Sequence, residues 1–469
     1  MAKRVVIIGA GPAGLTAAYE LLSRSDDYEV VILEKAKKVG GIARSVDCNG
    51  NIMDVGGHRF LTDVPEINNW WKEMLPTVLE QERLSRIYFN QKFYDYPVKL
   101  RMETIKNMGI GTTFVVCGSF LKSKILKRRV ESLEDYYIKQ FGKKMYQMFF
   151  ENYTENLWGR HPRDISPEYG MQRVNDKISV IGLLKDMIIG DSAVEDKKKD
   201  VFLYPELGPG QMWETVANKV RDMGGKIVLG AEVVGIKRGK KNEVKSVVYM
   251  LGEKKCLLKS DYVLSSMPMK DLVMAMDDVP RKYLKIAKEL PYRDYMIIGV
   301  LVSKLVNAVP DDWIYIHDKN VKMGRVQIYN NWSPSLVRDA EHTVWLGLEY
   351  FCNEGDELWR MNDKKFAEMA ILELKKIKLI DDNEKILDFH IEREKKAYPA
   401  YFGSYPQIDE LRRYLDKIPN LFLVGRNGQH RYNNMDHSMM AAIEAVKNIL
   451  SGSAEKDNIW NVNASKEHQ

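Results

Sequence analysis

The sequence predicts an α/β fold in three parts: a Rossmann-like parallel-sheet domain, a mainly helical insertion and an antiparallel-sheet domain. Three observations predict it. Four apolar residues, Val5–Ile8, run into a glycine-rich turn and then a helical pattern; long amphipathic and aromatic segments follow; alternating, β-branched segments return in the second half. The chain has 469 residues, more than the ~100–200 of one ordinary domain, so two or three cores are expected.

Val5–Ile8 reads as a buried parallel strand, because it is apolar on both faces. Gly14–Arg24 follows as a helix, with Leu15, Ala18, Leu21 and Leu22 at helical spacing, and Glu29–Leu33 as a second strand. From Val64 to Ile189 the segments Pro65–Leu75, Ser132–Asn152 and Tyr169–Ile178 predict helices. The longest apolar run, Ile110–Leu121, is broken by glycines and threonines; its length suits a buried helix rather than a membrane span. Asp191–Asp200 is almost wholly polar and reads as a solvated surface turn. Lys226–Val234, Glu243–Leu251 and Tyr262–Ser265 predict strands beside the first sheet. Met296–Val302, Val326–Tyr329 and Thr343–Tyr350 predict a separate antiparallel sheet. Leu421–Val424 is a last buried strand and Met439–Leu450 a helix. The implied division is a discontinuous nucleotide-binding domain (1–62, 203–272 and 415–452), a mainly helical substrate or lid domain (63–202), an antiparallel-sheet substrate domain (273–414) and a frayed tail (453–469).

Composition narrows the function. The net charge of +6 is a small difference between 71 basic and 65 acidic residues. That describes a mixed surface and gives no case for nucleic-acid binding. Cys48, Cys117, Cys256 and Cys352 lie far apart, without a C-x-x-C, so metal and redox-motif readings fail and a reduced, cytoplasmic setting is expected. The N-terminus has no targeting pattern. The eight histidines include no HExxH, His430 and His437 lack an evident third ligand, and no G-x-S-x-G is present.

Gly9-Ala10-Gly11-Pro12-Ala13-Gly14 matches G-x-G-x-x-G between the first strand and helix. Gly9 permits the tight turn, Gly11 lets backbone approach a pyrophosphate, and Gly14 lets the helix pack closely on the strand. Glu34 ends the second strand, placed to accept hydrogen bonds from ribose hydroxyls; an acid there argues against a 2′-phosphate. With Lys35 beside it, this is a Rossmann-like dinucleotide site.

Val39-Gly40-Gly41-Ile42-Ala43-Arg44-Ser45 resembles the G-G-x-x-R-[ST] element of the flavoprotein group containing amine oxidases, protoporphyrinogen oxidases and UDP-galactopyranose mutases. Leu421–Arg426 resembles that group's last strand. The resemblance implies a glutathione-reductase-type fold and non-covalent FAD. It also implies that Gly40, Gly41 and Arg44 face the pyrophosphate, Val233 holds the adenine, and Gly425, Arg426, Asn434, Met435 and Ser438 meet the ribityl phosphate and flavin. Asp54-Val55-Gly56-Gly57-His58-Arg59-Phe60 supplies two glycines that can lie flat against a ring, and a histidine able to hydrogen-bond at the flavin's reactive edge.

Within the group the chain resembles the UDP-galactopyranose mutases, their eukaryotic-type branch above all. The stretches are Asp54–Phe60, Leu157-Trp158-Gly159 with Met171–Val174, Arg325–Pro334, Ala397-Tyr398-Pro399, and Gly425–Ser438. The resemblance implies that Arg173 and Arg325 clamp a nucleotide diphosphate and that Tyr398 and Tyr432 donate to it, with Trp158 and Tyr96 also at the substrate. It implies a pyranose–furanose interconversion of a sugar nucleotide through attack of reduced flavin N5 on the anomeric carbon, with NAD(P)H as the expected reductant. Two departures stand out. Trp332 replaces an expected tyrosine, and Lys99 an expected glutamine, so neither uracil nor galactose is fixed by the match.

The competing reading is an FAD-dependent oxidase or desaturase, similar to protoporphyrinogen or amine oxidases, for which Tyr204–Trp213 fits equally well. A non-catalytic flavoprotein would leave the arginines and Tyr432 without purpose. A homo-oligomer is compatible with either reading.

Overall fold

The computed structural model describes residues 2–96, 98, 102–126, 128–173 and 201–463, with Arg173 described in its main chain alone. Strand β1 (Lys3–Ile8), helix α1 (Pro12–Arg24) and strand β2 (Tyr28–Glu34) form the expected first unit. β1 lies between β2 and Tyr262–Ser265, parallel to both. Leu421–Leu423 and Lys226–Leu229 add the two edges, making a five-stranded parallel sheet. Val5, Val6 and Ile7 are wholly buried, which is why this strand reads as an unbroken apolar run. On one face α1 shares a core with the helix Met435–Ser451 through the small residues Ala17, Ala18, Ala441, Ala442 and Ala445. On the other, Val6, Ile8, Val31 and Leu33 pack against a small antiparallel sheet containing Val233, Ile236 and Val247.

That small sheet corrects one expectation. Glu243–Leu251 does not join the parallel sheet; Ala231–Arg238, Val244–Leu251 and Lys254–Lys259 form their own three-stranded antiparallel layer. The single strand expected over Lys226–Val234 divides at Gly230, whose φ of +70° turns the chain out of the parallel sheet.

The second large sheet has seven strands, in the order Ile386–Pro399, Tyr292–Val302, Val344–Cys352, Arg325–Ile328, Trp313–Ile316, Ser85–Phe89 and Lys92–Asp95. Its last two strands come from the segment expected to be mainly helical. They are joined by Asn90 and Gln91, both with positive φ, the conformation that a two-residue hairpin turn demands. Val78–Glu82 also pairs with Val201–Pro205. Among the described residues the rest of that segment is largely helical, but Ser132–Asn152 breaks into Leu133–Phe141 and Lys143–Phe149, with Glu151–Trp158 following. The break is Gly142, at φ +80°, where a Cβ would stand 2.7 Å from the Phe120 main chain.

Ile110–Ile125 is a helix, as expected, but it is not buried. Thr113 and Val116 face inward, whereas Ile110 and Phe114 are 71% and 74% exposed. Tyr169–Ile178 is helical over Glu168–Arg173; its remainder, and the polar Asp191–Asp200, lie outside the described residues. Among the described residues no helix is long and apolar enough to cross a membrane.

Candidate cofactor and substrate site

Two glycine loops and two helix N-termini converge at the C-terminal edge of the parallel sheet. Gly9, at φ +102°, donates its N–H to Leu33 O, and the Gly40 N–H donates to Ala10 O, so the second loop is tied to the first. A Cβ on Gly41 would stand 3.3 Å from Gly11 Cα, and one on Gly14 would stand 1.9 Å from Gly9 O. Gly425, at φ +74°, abuts Ala13 at the start of α1. The cleft they border has an empty volume of about 1240 Å³ with its open, solvent-filled mouth included. Gly9, Gly11, Pro12, Ala13, Glu34, Lys35, Gly41, His58, Val233, Gly425, Arg426, Asn434, Met435 and Ser438 line it.

The cradle fits a dinucleotide cofactor. Backbone N–H groups at the start of α1 suit a pyrophosphate. Glu34 accepts from Ala10 N at 2.6 Å and Ala36 N at 2.7 Å, which fixes the carboxylate while leaving each oxygen a second lone pair. Lys35 pairs with Glu232 across the mouth at 2.6 Å. Val233 lines the cleft where its strand bulges. The helix expected from Met439 starts at Met435, four residues earlier, and Ser438 Oγ donates to Asn434 O at 2.9 Å.

Arg44 departs from its expected role. Its guanidinium donates to Gly41 O and pairs with Glu392 and Glu394 of the edge strand. It lies outside the lining of the cleft and braces the second glycine loop against the seven-stranded sheet, so two carboxylates already take its charge.

The Asp54–Phe60 loop joins the cofactor cleft to the second sheet. Asp54 is buried, accepting from Ser45 Oγ at 2.6 Å and from Tyr204 Oη. Burial pushes its carboxyl up to about 7, against those two hydrogen bonds. Gly57 is required by a neighbour: a Cβ there would lie 2.2 Å from the Trp313 ring. Gly56 has φ +97° and packs beside the Tyr295 hydroxyl. His58 Nε2 donates to Val55 O at 3.1 Å. Burial, with the positive charges of Arg426 and Arg325, brings its pKa down to about 3, so the ring is neutral.

Arg325 differs from the free clamp expected of it. It is 6% exposed, pairs through Nε with Glu349 at 2.5 Å, and lies between the rings of Trp313 and Phe351, each centroid 4.9 Å away. The two residues are cross-strand partners in register, and Gln327 Nε2 donates to Glu349 at 2.8 Å. Arg325 Nη2 donates to Tyr398 Oη at 2.8 Å. Burial raises the Tyr398 hydroxyl to about 12, with Arg325 opposing the rise, so it stays protonated. Tyr398 and Tyr432 are near-parallel, 11° between ring planes and 5.7 Å between centroids. Arg426, expected only at the cofactor, lies over both rings, 4.7 Å from Tyr432 and 5.7 Å from Tyr398, and donates Nε to Asn433 O.

The remaining expected substrate residues divide. Tyr96 is half-buried and stacks on Tyr315 at 4.3 Å. Trp158 is 1% exposed, packed edge-on against Tyr169, and serves the core behind the site. Trp332 is likewise 1% exposed; its indole N–H donates to Asp312 O at 2.8 Å and its ring packs on Phe202 and Tyr204. Indole at this position therefore fills the core instead of facing substrate. Lys99 and the Arg173 side chain lie outside the described residues. The helix that ends at Arg173 packs on the site, with Tyr169 5.7 Å from Tyr432 and Gln172 accepting from Tyr401 Oη at 2.7 Å.

Sequence reasoning missed Ser266, Trp313, Tyr401 and Glu349. Ser266 follows a correctly read strand, and its hydroxyl fills the space a Gly9 side chain would need. Trp313 carries no motif; its signal is a volume match to Gly57 that only the folded chain reveals.

Residues 7–75 match the NAD(P)-binding Rossmann-like domain family. Among curated proteins, the chain is 43% identical over 67 residues to protoporphyrinogen oxidase 2 of Arabidopsis thaliana, covering 14% of this chain and 13% of that one. It is 26% identical over 178 residues to the probable UDP-galactopyranose mutase of Klebsiella pneumoniae, covering 35% and 43%. These two alignments span less than half of either relative. The mitochondrial protoporphyrinogen oxidase of Nicotiana tabacum aligns over 91% of both chains at 22% identity. Among solved structures, reduced UDP-galactopyranose mutase superposes with a TM-score of 0.84 at 20% identity, covering 98% of this chain and 96% of that one. In fold, the chain is similar to UDP-galactopyranose mutase over almost its whole length.

Proposed function

We propose that the protein is a flavin-dependent sugar-nucleotide mutase, interconverting ring forms of a sugar joined to a nucleoside diphosphate. One observation carries this reading: Arg426 lines the cofactor cleft and lies over the parallel rings of Tyr398 and Tyr432. A guanidinium there repels an amine substrate and attracts an anionic one. An oxidase of amines would leave that space to the substrate's own cation.

FAD would be held by the two glycine loops and the N-termini of α1 and of the Met435–Ser451 helix; in its reduced form it would supply the nucleophile and leave the reaction without net redox change. The chain's own residues do the rest. Arg426 neutralises the diphosphate and so makes it a better leaving group. The protonated Tyr398 hydroxyl, fixed by Arg325, can donate to an anionic oxygen. His58, uncharged, can hydrogen-bond at the sugar or cofactor. Glu349 cancels Arg325, so Arg426 is a candidate cation for the substrate among the described residues, and Arg173 and Lys99 stay candidates from the sequence.

A second reading, an FAD oxidase, is favoured by the end-to-end alignment with the tobacco enzyme. One assay separates the two. Dithionite-reduced protein is incubated with UDP-galactose, then with other sugar nucleotides, and the products are resolved by chromatography. The mutase reading expects a furanose isomer without acceptor consumption. Absence of any isomer with every sugar nucleotide tried, alongside acceptor consumption matched to product from another substrate, rejects it.

A further inference from the structure

The helix Ile110–Ile125 presents its apolar side to solvent. Ile110, Phe114, Val115, Leu121 and Ile125 are 54–79% exposed and fall within an arc of about 140° at 3.6 residues per turn. Gly111 and Gly118, on the same arc, face open space. Met102 of the preceding helix and Leu126 at the helix end are also exposed, at 79% and 56%. The opposite side is firmly docked. Thr113 and Val116 are buried, Lys144 N donates to Ser119 Oγ at 2.9 Å, and Phe120 crosses Gly142 at backbone contact. The exposed face is therefore the outside of a packed helix, and an apolar patch of this kind marks an interaction surface.

Charge selects the occupant. The sixteen-residue helix contains no acidic side chain, and it ends in exposed Lys122 and Lys124. Arg128 and Arg129 follow, sharing their charge with Asp135 and Glu131. Apolar side chains on an outward arc, with Lys122 inside that arc and Lys124 at its edge, its ammonium over the Phe120 ring at 5.1 Å, match a bilayer interface in which the aliphatic stems lie among lipids and the Lys122 ammonium reaches phosphates. We propose that this face seats the protein on the surface of an anionic phospholipid bilayer, without spanning it. The inference is independent of the mutase reading.

The test is co-sedimentation of the full chain with phosphatidylcholine vesicles, with and without phosphatidylglycerol. Binding is expected to the anionic vesicles and to be about tenfold weaker without phosphatidylglycerol or at high salt. The doubly substituted Phe114→Asp, Ile125→Asp protein should lose at least about tenfold in binding. Lys122→Glu with Lys124→Glu should weaken it by a similar factor, and cofactor content should be unchanged in both. No binding to either vesicle, or binding indifferent to these substitutions, overturns the proposal. So does a dimer in sedimentation equilibrium that the Phe114→Asp, Ile125→Asp pair dissociates, because the face would then belong to a second copy of the chain.

Discussion

Glu349→Ala tests how the charge beside the substrate site is held. Glu349 is wholly buried, Arg325 is 6% exposed, and their closest approach is 2.5 Å. Removing one partner of such a pair strands a charge in the interior and costs about 3–5 kcal/mol, a large part of the ~5–15 kcal/mol that stabilises a typical domain. Glu349→Gln keeps an acceptor for Arg325 but not the charge, so its cost should be smaller. Arg325→Met with Glu349→Leu removes both charges, and the two losses should then fall short of additive by ~1–3 kcal/mol. The assay is urea unfolding followed by tryptophan fluorescence, with midpoints compared at constant slope. A Glu349→Ala protein within about 1 kcal/mol of the parent, or strict additivity in the double variant, would refute the assignment of a buried, mutually dependent pair.

Three further outcomes follow from the geometry. Gly14→Ala places a methyl 1.9 Å from Gly9 O, so purified protein should lose bound flavin, read as the ratio of visible to ultraviolet absorbance, at a stability cost of about 1–3 kcal/mol. Asp54 ionises near 7 in the fold against 3.8 ordinarily; the unfolded chain releases its proton first, so this stability is present below pH 3.8 and declines as pH rises to about 7, a slope that Asp54→Asn should remove. For His58 the sign reverses. Its folded value is about 3 against 6.5, so stability is lost as pH falls from 6.5 towards 3, and His58→Gln should abolish that dependence; the turnover profile should carry no histidine step near 6.5.

What could be read from the sequence was whatever the backbone itself demands. The Gly9–Gly14 and Gly40–Gly41 turns need glycine wherever they occur, so the motif and its cleft were legible without the fold. Glu349 was not. It sat inside a correctly expected strand, as Arg325 opened another, but the register that places them opposite each other depends on how the sheet assembles. Ile386–Pro399 escaped for a related reason: its Asp-Phe-His-Ile-Glu-Arg-Glu-Lys-Lys run reads as solvated, and it is a half-exposed edge strand. Trp332 and Trp158 were misplaced because a ring type says nothing about which side of it is packed. Ile110–Ile125 shows the converse, since apolar content indicated burial while the fold turns that side outward.

The most direct test concerns Arg426. UDP binding is measured by quenching of tryptophan fluorescence in the parent and in Arg426→Met, at matched flavin content. The Arg426→Met protein should bind UDP at least tenfold more weakly, about 1.4 kcal/mol, and the parent's affinity should fall as salt rises. Equal affinity in the two proteins, independent of salt, would contradict the claim that this guanidinium receives the anionic half of the substrate.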